Sequence, residues 1–324
     1  MKDYSWVVGF NYFPSYAYNL YDIWKLFDAE TFDREIGLGK KYFPKMNTVR
    51  LWLSFDAFRY EENRQAENFE TALKICDKYG CKVIVCLFNC WHDSRLDAGG
   101  MYHPMMIPHS ICPATETMFD SYFEKIVAAH KNDERILIWD ICNEPDSNSE
   151  ISEYTALVEH YETAWLNKMC DKCHEIGVSQ PVGVSHHAAG AHWERQEKTI
   201  KSVDIILVHP YYYLSEEDFI NLPPEGLDKM LEEFKCWSKK YDKPLLTTET
   251  CWGSRDDSVR TEIIRRTLTA HKKAGIGYIA HALHWSHMAD LHDECDGYVG
   301  VPGNLMFITK DGKIRPGHEI FNEF

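Results

Sequence analysis

No apolar run in this chain approaches the roughly 20 residues needed to span a bilayer as a helix, so a helical membrane anchor is not expected within it. Positive charge is scarce as well. The 35 Lys and Arg stand against 50 Asp and Glu, for a formal net charge of −15. Nucleic acids and anionic membranes are bound through clustered Lys and Arg, so neither is an expected partner. A Gly-rich phosphate turn after the first apolar strand is missing, which argues against a dinucleotide-binding open sheet, and no cofactor is expected. Paired cysteines are missing too: the 11 present are odd in number and scattered, which favours a reducing compartment over a disulfide framework. Cys76, Cys86 and Cys142 lie in apolar patterns, where a free cysteine acts as a small hydrophobe. Cys170-Asp-Lys-Cys173 has no second pair at zinc spacing. Met1-Lys-Asp-Tyr4 runs straight into a strand pattern without a signal peptide. The expected location is the cytoplasm, or outside the cell if a leader has been removed.

What is present is a large apolar fraction, 44%, with 14% aromatics, enough for a sizeable core. Buried strands and amphipathic helices alternate along the chain. The strands are Trp6 to Asn11, Asn47 to Leu53, Lys82 to Phe88, Ile136 to Asn143, Pro181 to Ser185, Asp204 to His209, Pro244 to Glu249 and Tyr278 to Trp285. Helical patterns fall at 33–43, 69–79, 118–130, 154–176, 227–241 and 259–274, several of them closed by glycine. Thr309-Lys-Asp-Gly-Lys-Ile314 carries a hairpin signal. Eight strands alternating with helices predict a parallel sheet covered by helices, and eight is the number that closes a barrel. The expectation is therefore a single α/β domain over residues 1–324, a (β/α)8 TIM barrel. The aromatic stretch from Tyr12 to Trp24 and the long irregular segment from Trp91 to Pro113 are expected to wall its cleft.

The most informative stretch is Ile136-Leu-Ile-Trp-Asp-Ile-Cys-Asn-Glu-Pro145. An apolar run of this kind fits a strand buried on both faces. It ends in a carboxylate followed by a chain-turning proline, and a carboxylate at the C-terminal end of a barrel strand reads as catalytic. Pro244-Leu-Leu-Thr-Thr-Glu249 repeats the pattern. Two such acids are the minimum equipment of a retaining glycosidase. The other strand ends supply Asn11, His92, Asn143, His186 with His187, His209 with Tyr211, and Trp285. Arg50 lies within its strand and requires an anionic partner if buried; Glu249 is the candidate.

Taken together, Arg50, Asn143-Glu144-Pro145, His209-Pro-Tyr211, Glu249 and Trp285 make the chain resemble the retaining glycoside hydrolases of clan A. Family 5, the cellulase and mannanase family, is the closest in pattern. The ending Gly300-Val-Pro-Gly-Asn-Leu-Met-Phe307 with Asp311 to Pro316 is similar to the closing loop of such enzymes. The resemblance implies cleavage of β-linked glucan, mannan or xylan glycans or oligosaccharides by double displacement. Glu144 would be the acid/base, and Glu249 the nucleophile kept ionised by Arg50 and Tyr211. Asn143 would bond the sugar 2-hydroxyl, His209 would orient the acid/base, and Trp285 would stack on the sugar. Asn11 and His92 would be further substrate-binding residues. No metal is implied.

Two rival readings stay open. His284, His287, Asp290, His292 and Asp293 are dense enough to suggest a metal-dependent barrel hydrolase, although the His-x-His of such barrels is missing from the first strand. A non-catalytic carbohydrate-binding protein on a glycosidase scaffold is the other, and the intact pair of carboxylates argues against it. The pair His186-His187 fits either lining the cleft or capping a strand.

Overall fold

The computed structural model describes residues 1–90, 98, 100–101, 103–106, 117–145, 153–187, 193–212, 224–289 and 305–324. Eight parallel strands close into a barrel in chain order: β1 (Val8–Asn11), β2 (Thr48–Trp52), β3 (Lys82–Asn89), β4 (Ile136–Asn143), β5 (Val182–His187), β6 (Ile206–His209), β7 (Leu245–Thr250) and β8 (Tyr278–Ala280). Closure is made by β1, which pairs with β2 through Asn11 opposite Arg50 and with β8 through Phe10 opposite Ala280.

The helices are α1 (Leu20–Lys25), α2 (Ala29–Tyr42), α3 (Phe55–Tyr60), α4 (Glu62–Lys78), α5 (His103–Met106), α6 (Asp120–Tyr122), α7 (Glu153–Ile176), α8 (Trp193–Thr199), α9 (Pro224–Tyr241) and α10 (Asp257–Ala274). Side-chain caps set the starts of some. Asn19, Asp28, Ser54 and Asp256 accept from backbone N–H groups of the first turns of α1, α2, α3 and α10, as short polar side chains do at orphan donors. Left-handed glycines, Gly80, Gly177 and Gly275, follow α4, α7 and α10.

The short helices α1, α3, α5 and α8 had no counterpart in the sequence expectation, α2 begins at Ala29 rather than near Asp33, and three further elements differ in extent or type. Helix α4 begins at Glu62 rather than Phe69, because its first two turns are polar and show no apolar period. The predicted helix at 118–130 is split into α6, a π-helical turn at Phe123–Val127 and a 3₁₀ turn at Ala128–His130. Strand β8 stops at Ala280, and the chain to Trp285 runs on irregularly, making an isolated bridge of His284 to Ile308 outside the barrel strands. The hairpin signal near the C-terminus corresponds to a tight turn in which Thr309 N–H donates to the Lys313 carbonyl at 2.7 Å.

The barrel interior is layered. Ile84, Ile138, Leu207, Leu246 and Ile279 form an apolar plug with Tyr4 and Val7 from the N-terminus. Gly183 makes room in it: a Cβ there would lie 2.7 Å from a methyl of Leu207. Two residues further along the same strands come Asp140, His209 and Thr248. Alternation with period two keeps them on the inward face, one layer nearer the C-terminal mouth. The larger core fills the space between strands and helices. No described helix is long and apolar enough to cross a membrane. Among the cysteines, the described ones are free, and Cys170 and Cys173 are buried within α7, where burial pushes both thiols up from their ordinary value.

Candidate active site

The site is built around Arg50. Its guanidinium is fully buried, and a buried arginine must spend its donors on protein acceptors. Nε and Nη2 donate to Asp140 Oδ2 at 3.0 and 2.7 Å. Nη1 donates to Asn11 Oδ1 at 2.9 Å and to Glu249 Oε1 at 2.5 Å. Nη2 also reaches Asn143 Oδ1 at 2.9 Å, and the guanidinium lies 4.8 Å from the centre of the Trp52 ring. Four strands are thereby tied to one cation. Burial alone would pull the guanidinium down, but Asp140 and Glu249 outweigh it and hold it above its ordinary value.

Glu249, near the end of β7, accepts from Tyr211 Oη at 2.6 Å on Oε2 while Arg50 holds Oε1. The same Oε2 lies 3.2 Å from His281 Nδ1 and 3.6 Å from His209 Nδ1. The His281 nitrogen is buried and lacks an aligned hydrogen-bond partner, so that contact acts through charge and dipole more than through a directed bond. Burial pushes the Glu249 carboxyl up; Arg50, with His281 beside it, opposes this and holds it below the usual carboxylate range. Arg50 is the permanent charge among them. The His209 imidazole is itself held well below 6.5, chiefly by burial, and is neutral at pH 7.

Glu144 follows β4 directly, with φ of 42°. A non-glycine residue in this region is uncommon. Its backbone N–H donates to the Ser185 carbonyl at 2.9 Å. Its carboxyl is buried, and Oε1 lies 2.6 Å from His209 Nδ1. The outcome is a compact triad: one ligand atom each from Glu144, His209 and Glu249 lie within 4.8 Å of one another.

The structure thus brings Arg50, Asn143, Glu144, His209, Tyr211 and Glu249 together. Asn11 lies beneath them, with its carboxamide oxygen accepting from Arg50 and Trp52 and its nitrogen donating to the Thr248 carbonyl. It braces the arginine rather than opening onto the cleft. Asn143 Oδ1 accepts from Arg50, and its Nδ2 donates to Asn89 Oδ1 at 2.9 Å. Trp285 lies five residues beyond the end of β8, with Lys310 Nζ 4.2 Å from its ring centre and His287 against its edge. His281 is the residue past β8 that reaches Glu249. His186 turns outward to Thr199 of α8, at 3.2 Å. His187 ends β5 opposite His209. His92, Asp290, His292 and Asp293 lie outside the described residues.

Sequence reasoning missed Asp140, Ser185, Thr248, Asn89 and His281. Asp140 had a signal, being the charged exception in an otherwise apolar strand. Ser185 and Thr248 had none, since a hydroxyl inside a strand is commonplace.

Among the described residues, two clusters have the residue types for a cation. In one, Glu70, His130 and Asp133, the side chain of Arg135 already donates to both carboxylates, at 2.7 and 2.6 Å. The other is Glu144, His209 and Glu249, where Arg50 supplies the positive charge that a metal would bring.

Comparison with known proteins bears on this arrangement. The model of the family described as Cellulase (glycosyl hydrolase family 5) matches residues 42–286. Human β-glucuronidase is 25% identical over 201 residues, which is 61% of this chain and 26% of that protein. The chain thus spans about a quarter of the length of the curated relatives it matches. Among solved structures, an exo-β-1,4-mannosidase from Opitutaceae bacterium strain TAV5 aligns with a TM-score of 0.72 at 16% identity, covering 98% of this chain and 58% of that one. The endo-1,4-β-D-mannanase of Thermotoga petrophila RKU-1 aligns with a TM-score of 0.64 at 14% identity, covering 98% of both chains. At these identities the structural likeness speaks for the fold.

Proposed function

The chain belongs to glycosyl hydrolase family 5, the cellulase family, and from that premise we propose that it is a retaining β-glycoside hydrolase, with Glu144 as acid/base and Glu249 as nucleophile. The observation that carries this reading is the closeness of the two carboxyl groups. One oxygen of each, with His209 Nδ1 in contact with both, lies within 4.8 Å of the other, a closest approach that favours the short carboxyl separation of a retaining pair. Retaining pairs sit about 5–5.5 Å apart, whereas inverting pairs need roughly 6.5–9.5 Å to admit a water.

In the first step Glu249 attacks the anomeric carbon as the bond to the leaving oxygen breaks, and Glu144 gives its proton to that oxygen. In the second, water attacks the glycosyl–Glu249 ester, its proton passes to Glu144, and Glu249 leaves as carboxylate. Arg50 and Tyr211 suit the nucleophile's role, because both donate to a group that must be anionic before and after the cycle. The second N–H of Asn143 suits a contact with the sugar 2-hydroxyl. Mannan-acting enzymes recur among the structural neighbours, so β-mannosides head the substrates to be tried.

The test is hydrolysis of β-mannosides, glucosides, xylosides, galactosides and glucuronides by the wild type and by Glu249→Ala, with the first-formed anomer read by NMR. Turnover of one class with β-product, lost by on the order of 10⁴-fold or more in the variant, is expected. An α-anomer released first, or undiminished turnover by Glu249→Ala, would overturn the assignment.

A further inference from the structure

Asp140 is buried beneath the carboxylate pair, yet a continuous run of hydrogen bonds joins it to Glu144. Ser185 Oγ lies 2.5 Å from Asp140 Oδ2. Thr248 Oγ1 lies 3.1 Å from Ser185 Oγ. His209 Nε2 lies 3.0 Å from Thr248 Oγ1, and its Nδ1 lies 2.6 Å from Glu144 Oε1. All five residues are buried, so water does not compete for these groups.

Counting protons fixes the direction of the chain. Asp140 is surrounded by donors: the guanidinium of Arg50, the Ser185 backbone N–H at 3.1 Å and the Ser185 hydroxyl. An ionised carboxylate only accepts, so the single Ser185 proton goes to Asp140. The Ser185 oxygen can then only accept from Thr248, which commits the Thr248 proton. Thr248 Oγ1 can in turn only accept from His209, which puts the imidazole proton on Nε2. A neutral imidazole carries one proton, so Nδ1 is bare. A bare nitrogen 2.6 Å from a carboxyl oxygen needs a proton between them, and that proton belongs to Glu144.

We propose that Ser185 and Thr248 are positioning residues for the acid/base step: acting through His209, they form a one-way chain from Glu144 to Asp140 that keeps the acid proton on Glu144 in the resting site. This rests on the reading of Glu144 as the acid. When the proton passes to the leaving oxygen, two acceptors are left facing each other across the Glu144–His209 contact. That pairing is unfavourable and favours recapture of a proton from the attacking water, which is the base role of the second step. The neutral state of the imidazole supports the chain. It is set first by burial and then by Arg50, His187 on β5 and His281 beyond β8, against the pull of Glu249 on β7. Among the described residues, Glu249 shares the cluster with Glu144, and Arg50 is bonded to the neighbouring Asn143.

Two experiments test it. The first needs no substrate: ¹⁵N NMR of the histidine-labelled protein, with the His209 signals identified by their loss in His209→Gln. The Nε2–H tautomer is expected at neutral pH; an Nδ1–H tautomer or a doubly protonated ring overturns the proposal. The second compares Thr248→Val, which keeps shape and removes the hydroxyl, with Thr248→Ser, which keeps the hydroxyl. In Thr248→Val the basic limb of the kcat/KM profile is expected to fall by roughly one pH unit, with the loss confined to alkyl glycosides. Dinitrophenyl glycosides, whose leaving group needs no proton, are expected to be spared, and Thr248→Ser to restore the limb. Equal losses on both substrates with an unmoved limb would mean a merely structural threonine and would sink the idea. Glu144→Ala run alongside separates the premise from the proposal: if it spares alkyl glycosides, the acid assignment itself has failed.

Discussion

His281 sits at the point where the nucleophile's environment is easiest to change. Its side chain is 11% exposed, its Nδ1 is 3.2 Å from Glu249 Oε2, and it is one of the groups that keep that carboxyl ionised against burial. Replacing the ring in His281→Leu removes that polar contact and leaves Arg50 and Tyr211 to hold the charge. The acid limb of kcat/KM is then expected to move up by roughly one pH unit, while His281→Asn, which keeps a polar atom near the Nδ1 position, stays close to the wild type. An acid limb that is the same in all three proteins would remove His281 from the nucleophile's environment. At this scale Tyr211, Glu144 and Glu249 were legible as residues, because a polar side chain at the end of an apolar strand stands out, and Arg50 because a charge within such a strand needs a partner. Their partners were not: Asp140 and Glu249 lie 109 positions apart in the chain, and only closure of the barrel brings both to one guanidinium.

At the scale of elements, helix α10 locks the mouth of the barrel. Arg260 on its inner face is fully buried, and Nη2 donates to the carbonyls of His281 and Leu305, each at 2.9 Å, while Nη1 donates to the Cys251 carbonyl. Burial brings this guanidinium down to about 9, still protonated at neutral pH. The clamp joins the exits of β7 and β8, between which Glu249 and His281 face each other. Arg260→Met fills much of the volume but strands these carbonyls, and is expected to cost about 3 kcal/mol, read from urea denaturation. A loss below about 1 kcal/mol would show that the carbonyls find other donors. The placement of helices was well forecast where an apolar stripe met a glycine stop, as in α7 and α10. The starts were less so, since caps such as Asp28 and Asp256 act through a single short side chain.

For the molecule as a whole, acid stability is governed by histidines that are buried neutral. His271, bonded to the Thr267 carbonyl and Thr247 Oγ1, is brought from 6.5 to about 4 by burial. His318 is brought to about 3 by burial together with Arg260 and Arg315, and His209 is lowered too. The unfolded chain binds these protons near pH 6.5 and the folded chain does not, so stability is full above about pH 6.5 and is lost progressively as pH falls towards about 4. The urea midpoint is therefore expected to drop between about pH 7.5 and about pH 5, and the drop to shrink in His271→Gln. A flat profile would contradict the burial of these rings as neutral species. A chelator gives a second whole-molecule test: with Arg50 supplying the charge between the strands, activity is expected to persist after exhaustive treatment, and its loss, restored by a divalent cation, would revive the metal reading.

The number of strands, their alternation with helices and the two carboxylates at strand ends were determined by the sequence itself, because burial on both faces imposes continuous apolar runs and the chain must turn where each run ends. Tertiary structure decided the rest. Which layer Asp140 and Thr248 occupy follows from the inward alternation of neighbouring strands around a closed barrel. That Asn11 braces Arg50 instead of meeting the cleft follows from the pairing of β1 with β2. That His281 reaches Glu249 follows from where β8 ends. These are contacts between residues far apart in the chain, and no local pattern encodes a distance across a barrel.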